Sequence, residues 1–262
     1  MEFATHLRRY SPRLWFHFKF LKYKYLKGER ELRLLTRLVP RDKLAIDIGS
    51  SIGLYSRELA RHVSKVIAFE ANPAVAEFAR MVAPRNVEIV NVALSANAAR
   101  TVLRIPINAK GHTVDDLATV EARNNSYAGR ARAVEVASKR LDDYNLSDCG
   151  FIKIDVEGHE EAVLDGAMRL VETQRPILMI ELVNAHNVGI IERVVDRLSG
   201  LSYSAYFFSR GRLAPFAEFD EALHQNVKLA DGLSPRRRRK IEYIANFIFV
   251  PEEAVSKVVR ST

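Results

Sequence analysis

Cysteine is nearly absent from this 262-residue chain, in which Cys149 is the one thiol. A single cysteine excludes an intrachain disulfide framework and a zinc site built from several thiolates. The sequence also lacks any run near the about 20 apolar residues of a membrane-spanning helix, and its N-terminus lacks an apolar run of signal-peptide length. We therefore expect a cytoplasmic protein that does not cross a membrane.

Acidic residues are scarce at the front of the chain. Residues 1–40 hold ten Lys and Arg against three Glu, which gives +7 of the formal net charge of +8. Aromatic residues alternate with these cations, a composition that suits anionic lipid headgroups, acidic glycans or nucleic acid. The simpler interpretation is a helix whose aromatic side chains pack on the core while its lysines stay in water.

We interpret residues 1–40 as a basic aromatic extension and residues 41–262 as the main domain. Residues 1–27 are the part of the extension for which we predict peripheral contact with an anionic membrane, on its inner face. A second basic run, Arg236 to Lys240, is interpreted as a solvated loop or helix start, with anion binding as the alternative.

Short β-rich runs alternate with helical segments in the main domain. The runs are LAIDIG (44–49), VIAFE (66–70), VEIVNVAL (87–94), FIKIDV (151–156) and ILMIEL (177–182), and the helical segments are 52–63, 74–81, 160–171 and 188–198. This alternation predicts a doubly wound α/β fold with a mostly parallel sheet. Two more β-rich runs, 203–208 and 246–250, predict a terminal antiparallel pair and bring the sheet to seven strands.

Residues 95–149 interrupt the alternation between core strands three and four. Two extended runs, TVLRIPI and RAVEVAS, flank a polar stretch, so we predict a two-stranded insertion with a loop. Insertions of this length over a sheet are commonly lids or substrate loops. The substrate-contact candidates are His112, Thr113, Asn124, Asn125 and Ser126, for each of which an ordinary solvated loop position is the alternative.

The first two strands end in residues that suit a ligand carrying a ribose. Asp47 and the glycines Gly49 and Gly53 follow the first strand, and Glu70 ends the second about twenty residues later. Glycines allow a tight turn against a ligand, and an acidic residue at this spacing accepts both ribose hydroxyls. The alternative is a tight turn without a ligand.

Nicotinamide dinucleotides and S-adenosylmethionine both carry such a ribose. The turn lacks the middle glycine of the pyrophosphate-binding G-x-G-x-x-G pattern. The carboxylate of Asp47 would also repel a pyrophosphate, whereas it would attract the ammonium group of a methionine tail. The charges therefore favour S-adenosylmethionine, with a nicotinamide-dependent oxidoreductase as the alternative.

Several motifs together resemble the FkbM-type methyltransferases, a branch of the class I S-adenosylmethionine-dependent, Rossmann-like fold. They are IDIGSSIGLYS (46–56), AFEANP (68–73), NVALS (91–95), LDDY (141–144), FIKIDVEGHEEAVLDGA (151–167), PILMIE (176–181) and NFIFVP (246–251). The KIDVEGHE block is the most specific. Ser51 and Ala71 depart from the family, which often has Asn and Pro there, and residues 1–40 lie outside the resemblance.

The resemblance implies methyl transfer from S-adenosyl-L-methionine to a hydroxyl of a sugar, polysaccharide or related natural product. It assigns residues to the cofactor as follows: Asp47, Gly49, Ser51 and Gly53 in the turn beside the methionine portion, Glu70 at the ribose, and Asn72, Asn91, Ala93 and Leu94 on the adenosine side. The same fold methylating RNA or protein is an alternative, although we expect a hydroxylated small molecule or glycan rather than nucleic acid.

Methylation of an alcohol needs a base within hydrogen-bond reach of the hydroxyl. Asp155, at the tip of the fourth strand, is expected at the methyl end of the cofactor, with Glu181 beside it. His159 is a third catalytic candidate, because histidine titrates near neutral pH, and Glu157 is a substrate candidate. Alternatively, Asp155, His159 and Glu181 would hold a divalent metal that lowers the pKa of the acceptor hydroxyl.

Overall fold

The computed structural model describes residues 7, 10–27, 31–121, 129–226 and 242–259. Its helices are α1 (Pro12–Lys22), α2 (Glu31–Leu38), α3 (Leu54–Leu59), α4 (Pro73–Val82), α5 (Glu160–Asp165), α6 (Met168–Gln174), α7 (Ile190–Ser199), α8 (Glu221–His224) and α9 (Glu252–Val259). Its strands are β1 (Leu44–Ile48), β2 (Val66–Phe69), β3 (Val87–Val90), β4 (Ala93–Leu94), β5 (Ala99–Pro106), β6 (Ala131–Lys139), β7 (Cys149–Ile154), β8 (Ile177–Glu181), β9 (Tyr203–Ser209), β10 (Arg212–Pro215) and β11 (Asn246–Pro251). The substrate candidates Asn124, Asn125 and Ser126 and the run 236–240 lie outside the described residues.

The main sheet has the strand order β10-β9-β11-β8-β7-β1-β2-β3. Strands β8, β7, β1, β2 and β3 are parallel, and β11 pairs antiparallel with both β8 and β9. The predicted doubly wound α/β fold and its terminal antiparallel pair are confirmed. The predicted count of seven strands is wrong, because Arg210 and Gly211 have positive φ angles of 50° and 87° and turn β9 back into an eighth strand, β10.

The third predicted strand, VEIVNVAL, is divided between two sheets. Its first half is β3 of the main sheet, and its second half is β4, which pairs with β6. The chain bends between the halves at Asn91, whose side-chain amide donates to the backbone oxygens of Glu70 and Ala71. The insertion strands β5 and β6 are antiparallel, and with β4 they form a second, three-stranded sheet.

One predicted helix is also divided. The segment 160–171 forms α5 and α6, which are separated at Gly166. A Cβ at this glycine would lie 2.1 Å from the backbone oxygen of Ser95, and its own carbonyl accepts the amide of Asp142. The close approach of another backbone therefore breaks the helix at this position.

The N-terminal helices pack against the main sheet and its helices. Leu32, Leu35 and Leu38 of α2 are buried in the same cluster as β1 and β7 side chains. In α1, Phe16 and Phe20 are each 1% exposed. No helix among the described residues is long and apolar enough to span a bilayer.

Candidate active site

A cavity of about 350 Å³ opens at the carboxyl ends of the parallel strands. The ends of β1, β2, β7 and β8 form its floor, and part of the insertion and of the N-terminal segment form its walls. Its volume is in the range of ordinary small-molecule sites, and its place at the strand ends is where α/β sheets bind ligands.

The turn after β1 lies directly against the tip of β7. Gly49 has a φ of +76°, and a Cβ there would lie 1.8 Å from the backbone oxygen of Asp155. The amide of Asp155 in turn donates to the oxygen of Ile48 at 3.0 Å. Gly53, also with positive φ, precedes the first residue of α3. Glycine at position 49 is thus required both by the backbone conformation and by the contact between the two strand tips.

Glu70 is oriented by the backbone around it. Its carboxylate oxygens accept the amides of Ser51 at 2.8 Å and Asn72 at 2.7 Å. Burial raises the pKa of Glu70 to about 7, although these two hydrogen bonds act to lower it. Each carboxylate oxygen has a second lone pair, so the group retains capacity for the two hydroxyls of a ribose.

Two further polar groups mark the same turn as a ligand site. Asp47 is 1% exposed and accepts a hydrogen bond from Ser56 Oγ, and burial raises its pKa while Lys153 opposes the rise. The hydroxyl of Ser50 is buried and has no hydrogen-bond partner within the described part of the chain. A buried, unpaired hydroxyl is costly, and a bound ligand would satisfy it. The donors and acceptors of the turn fit the ribose and the amino-acid tail of S-adenosylmethionine.

The residues predicted on the adenosine side have two different placements. Ala93 and Leu94 line the cavity, together with Val92. Asn72 caps α4 by accepting the amide of Ala74, and Asn91 holds the bend between β3 and β4. Neither asparagine is among the described residues that line the cavity. Asn91 acts through the backbone oxygens that it holds, whereas Asn72 also donates from Nδ2 to Asp115 Oδ1, in the cavity wall, at 3.3 Å.

Beside the turn after β1, the cavity contains a buried lysine, Lys153, whose pKa responds to the carboxylates of Asp155, Glu181 and Asp47. Lys153, in β7, is 2% exposed, and its Nζ donates to Asp155 Oδ2 at 2.6 Å. The pKa of Asp155 is lowered, because Lys153 and a hydrogen bond from Glu181 outweigh the effect of burial. The charge of Asp155, followed by burial, raises the pKa of Glu181 well above its usual value. The pKa values of these two neighbouring carboxyl groups are thus shifted in opposite directions.

His159 lines the same cavity but is not in the lysine cluster. Its Nε2 is 2.9 Å from Ser95 Oγ, and its Nδ1 is 3.3 Å from Glu121 Oε2. The metal site given above as an alternative would need this ring beside Asp155 and Glu181. No group of three or more His, Cys, Asp and Glu side chains arranged to hold a metal ion occurs within the described ranges.

Glu157 also lines the cavity, and its Oε2 lies 3.2 Å from His186 Nδ1. Burial, followed by the charge of Asp155, raises the pKa of Glu157 to about 8. Its φ of 55° is a left-handed conformation that is uncommon for a residue other than glycine. The turn is held by Thr119 Oγ1, which donates to the backbone oxygen of Glu157.

The insertion contributes to the cavity wall, but not with the predicted residues His112 and Thr113. His112 and Thr113 are exposed on a turn closed by Asn108, away from the cavity. The segment that follows them, with Asp115, Asp116 and Leu117, forms the wall instead.

The lining residues that the sequence analysis missed also include Lys153, Lys19 and Tyr23. Lys153 had a usable signal, because a lysine inside an otherwise apolar strand is rarely buried without an anionic partner. Lys19 and Tyr23 had none, since the N-terminal segment lies outside every motif of the resemblance.

The sequence matches the model of the methyltransferase FkbM domain over residues 47–203, more than half of the chain. The chain belongs to the FkbM methyltransferase family. Its fold is accordingly that of the class I methyltransferases, and its cofactor is S-adenosyl-L-methionine, so the nicotinamide alternative is excluded. No curated protein matches the sequence.

Several solved structures are similar to this chain at low sequence identity. Methyltransferase FkbM from Methylobacillus flagellatus is 15% identical with a TM-score of 0.49, and the match covers 80% of this chain and 44% of that protein. A TehB-like methyltransferase from Corynebacterium glutamicum is 13% identical (TM-score 0.44; 95% and 99% covered). An rRNA methylase from Streptococcus thermophilus is 9% identical (TM-score 0.42; 84% and 92% covered). This chain therefore spans less than half the length of the Methylobacillus protein.

Proposed function

We propose that this protein is an O-methyltransferase that methylates a hydroxyl of a sugar, polysaccharide or related natural product. The observation that carries the proposal is the cluster of Lys153, Asp155 and Glu181 in the cavity, where Lys153 donates to Asp155 at 2.6 Å and the pKa of Asp155 is lowered while that of Glu181 is raised. Two carboxyl groups whose pKa values are driven apart by their surroundings are typical of an assigned acid and an assigned base.

The turn residues would hold the cofactor beside this cluster. Glu70 would accept the ribose hydroxyls, and the carboxylate of Asp47 would face the positive end of the methionine tail. When bound, S-adenosylmethionine supplies an electrophilic methyl group on a sulfonium. Because Gly49 has no Cβ, the turn after β1 packs directly against the tip of β7. This contact would keep the proposed base, Asp155, close to the cofactor.

In the proposed mechanism, Asp155 would accept the proton of the acceptor hydroxyl while the hydroxyl oxygen takes the methyl group from the sulfonium, whose C–S bond breaks to leave S-adenosylhomocysteine. Lys153 and a hydrogen bond from Glu181 both lower the pKa of Asp155, which favours its ionised form and would fix its orientation. His159, whose ring is held between Ser95 and Glu121, is proposed to orient the acceptor from the neighbouring wall. A positioned base of this kind contributes a factor of about 10² to 10⁴ to the rate.

The charge of the cavity supports a neutral, hydroxyl-rich acceptor. The acidic side chains that line it are Asp47, Glu70, Asp115, Asp116, Asp155, Glu157 and Glu181. Carboxylates accept hydrogen bonds from hydroxyl donors, whereas they repel the phosphates of a nucleic acid. A sugar is therefore a better fit to this cavity than RNA.

The protein is also proposed to contact an anionic membrane, on its cytoplasmic face, through the N-terminal helix. A surface cavity beside α1 is lined by Arg13, Arg57, Arg61 and Arg85, and no acidic side chain of the described residues lines it. The apolar Leu14 and Phe18 of α1 are about half exposed nearby, at 47% and 57%. Arginines next to exposed apolar side chains suit an anionic lipid surface.

Replacing the proposed base tests the catalytic assignment. We expect Asp155→Asn to lower the rate of S-adenosylhomocysteine release with a sugar acceptor by about 10² to 10⁴. The affinity for S-adenosylhomocysteine, measured by calorimetry, should change little, because the ribose and adenosine contacts remain. The wild-type acceptor would first be found by screening mono- and oligosaccharides beside RNA and protein extracts.

Asp143→Asn is the matched control, since Asp143 is exposed on a turn outside the cavity. It should leave both rate and affinity unchanged. Full turnover by Asp155→Asn with normal cofactor binding would show that Asp155 is not the base. Transfer to RNA or protein, with none to any sugar, would overturn the proposed acceptor class.

A further inference from the structure

Part of the wall of the active site comes from the chain that precedes the FkbM domain. The family match begins at residue 47, yet Lys19 of α1 and Tyr23 of the turn that follows it line the cavity. The domain defined by the family therefore does not enclose its own cofactor site in this protein.

The N-terminal segment is firmly attached where it covers the site. Lys24, which is 8% exposed, forms an ion pair of 2.7 Å with the fully buried Glu58 of α3. The guanidinium of Arg57 lies 4.9 Å from the ring centroid of Phe20. Breaking a buried ion pair is strongly destabilising, so these contacts hold the segment in one position.

Lys19 lines the cavity with its ammonium group beside two aromatic rings. Its Nζ is 5.3 Å from the ring centroid of Trp15 and 5.5 Å from that of Tyr23. Trp15 packs on the apolar cluster that contains Ile52 and Leu54, the residues on either side of Gly53. The ammonium group is thus held by two aromatic rings at the end of the turn that follows β1.

The charged groups that line the cavity suggest what Lys19 binds. Among the described residues, seven carboxyl groups line the cavity, and the lysines that line it are Lys19 and Lys153. Lys153 is engaged with Asp155 at 2.6 Å. S-adenosylmethionine carries a carboxylate on its methionine tail, and a carboxylate in such an acidic cavity needs a cation nearby.

We infer that Lys19 binds the carboxylate of the methionine tail, so that the N-terminal helix completes the cofactor site. Asp47 and Lys19 would then face the two opposite charges of the same amino-acid group. The inference rests on the proposed methyltransferase function and concerns cofactor affinity, which is measurable without knowledge of the acceptor.

Two probes that differ in the amino-acid tail test the inference. S-adenosylhomocysteine has the tail, and 5′-methylthioadenosine keeps the adenosine and the sulfur but lacks it. We expect Lys19→Met to weaken S-adenosylhomocysteine binding about 10-fold or more, by loss of a charged hydrogen bond, in calorimetric titrations. The affinity for 5′-methylthioadenosine should stay unchanged, which also shows that the variant is folded.

Lys22→Met is the matched control, because Lys22 lies in the last turn of α1 and is exposed. It should change the affinity for neither probe. Equal losses for both probes in Lys19→Met would show a packing role and overturn the inference, as would unchanged binding of S-adenosylhomocysteine. A wild-type protein that binds neither probe would instead overturn the proposed function itself.

Discussion

Glu70 faces the cavity as a buried carboxyl group that two backbone amides orient and no described cation neutralises. Burial raises its pKa to about 7, and the charges of Asp47 and Asp115 act in the same direction. Ribose hydroxyls would donate to the ionised form and would therefore favour it over the protonated form. Binding of the cofactor should thus lower this pKa and release a proton when the pH is below about 7.

We predict that the affinity for S-adenosylhomocysteine falls as the pH is lowered from 8 to 6. Below about pH 7 the loss should approach tenfold per pH unit, because the ligand must first displace a proton from Glu70. Calorimetry in two buffers of different ionisation enthalpy would count the released protons. Glu70→Gln should bind more weakly at pH 8 and show a flatter pH profile.

Glu88→Gln provides a control with the same chemical change on the surface, where Glu88 pairs with Lys65. It should retain the wild-type profile. Since Glu157 and Glu160 also have raised pKa values, the contribution of Glu70 is the difference between the wild-type and Glu70→Gln profiles. If the wild-type protein and Glu70→Gln have identical pH profiles, Glu70 does not bind the ribose.

At the scale of elements, the contact between the β1 and β7 tips determines the geometry of the site. Gly49→Ala should destabilise the protein by about 2 to 5 kcal/mol, because strain at positive φ adds to overpacking against Asp155. Chemical denaturation would measure this loss, and cofactor affinity should fall with it. A folded Gly49→Ala protein of wild-type stability would contradict the contact.

Gly111→Ala separates the two contributions to that loss. Gly111 has a φ of +80°, close to that of Gly49, but a Cβ there meets nothing within 4 Å. It should therefore lose only the part due to backbone strain, about 1 kcal/mol, and retain cofactor binding. The difference between the two variants measures the contact of the strand tips.

Apolar periodicity predicted the parallel strands well, because buried parallel strands form nearly continuous apolar runs. The same signal could not find the bend at Asn91, since the apolar run continues through it from β3 into β4. Asp155 and Glu181 could be predicted at the cavity because they end adjacent strands. The wall at Asp115 and Asp116 could not, because it depends on how the second sheet packs over the first.

At the scale of the whole molecule, α1 connects two sites of opposite charge. Lys19 lines the acidic cavity at the strand ends, while Arg13 and His17 of the same helix line the surface cavity rich in arginine. A helix that contacts a membrane with one face would therefore place the cofactor site close to the lipid surface. An acceptor attached to a lipid would then be within reach.

Charge reversal in the arginine-rich surface cavity tests the membrane contact. We predict that Arg61→Glu/Arg85→Glu lowers binding to phosphatidylglycerol-containing vesicles at least about tenfold in a sedimentation assay, since each basic residue near such a surface contributes about 1 kcal/mol. The wild-type protein should bind less at high salt and little to neutral vesicles.

Arg130→Glu/Arg132→Glu is the control, because it changes the net charge by the same amount at two exposed positions where β6 begins, outside that cavity. This variant should bind like the wild type. Equal losses in the two double variants would indicate a general charge effect, which would remove the arginine-rich cavity as the membrane site.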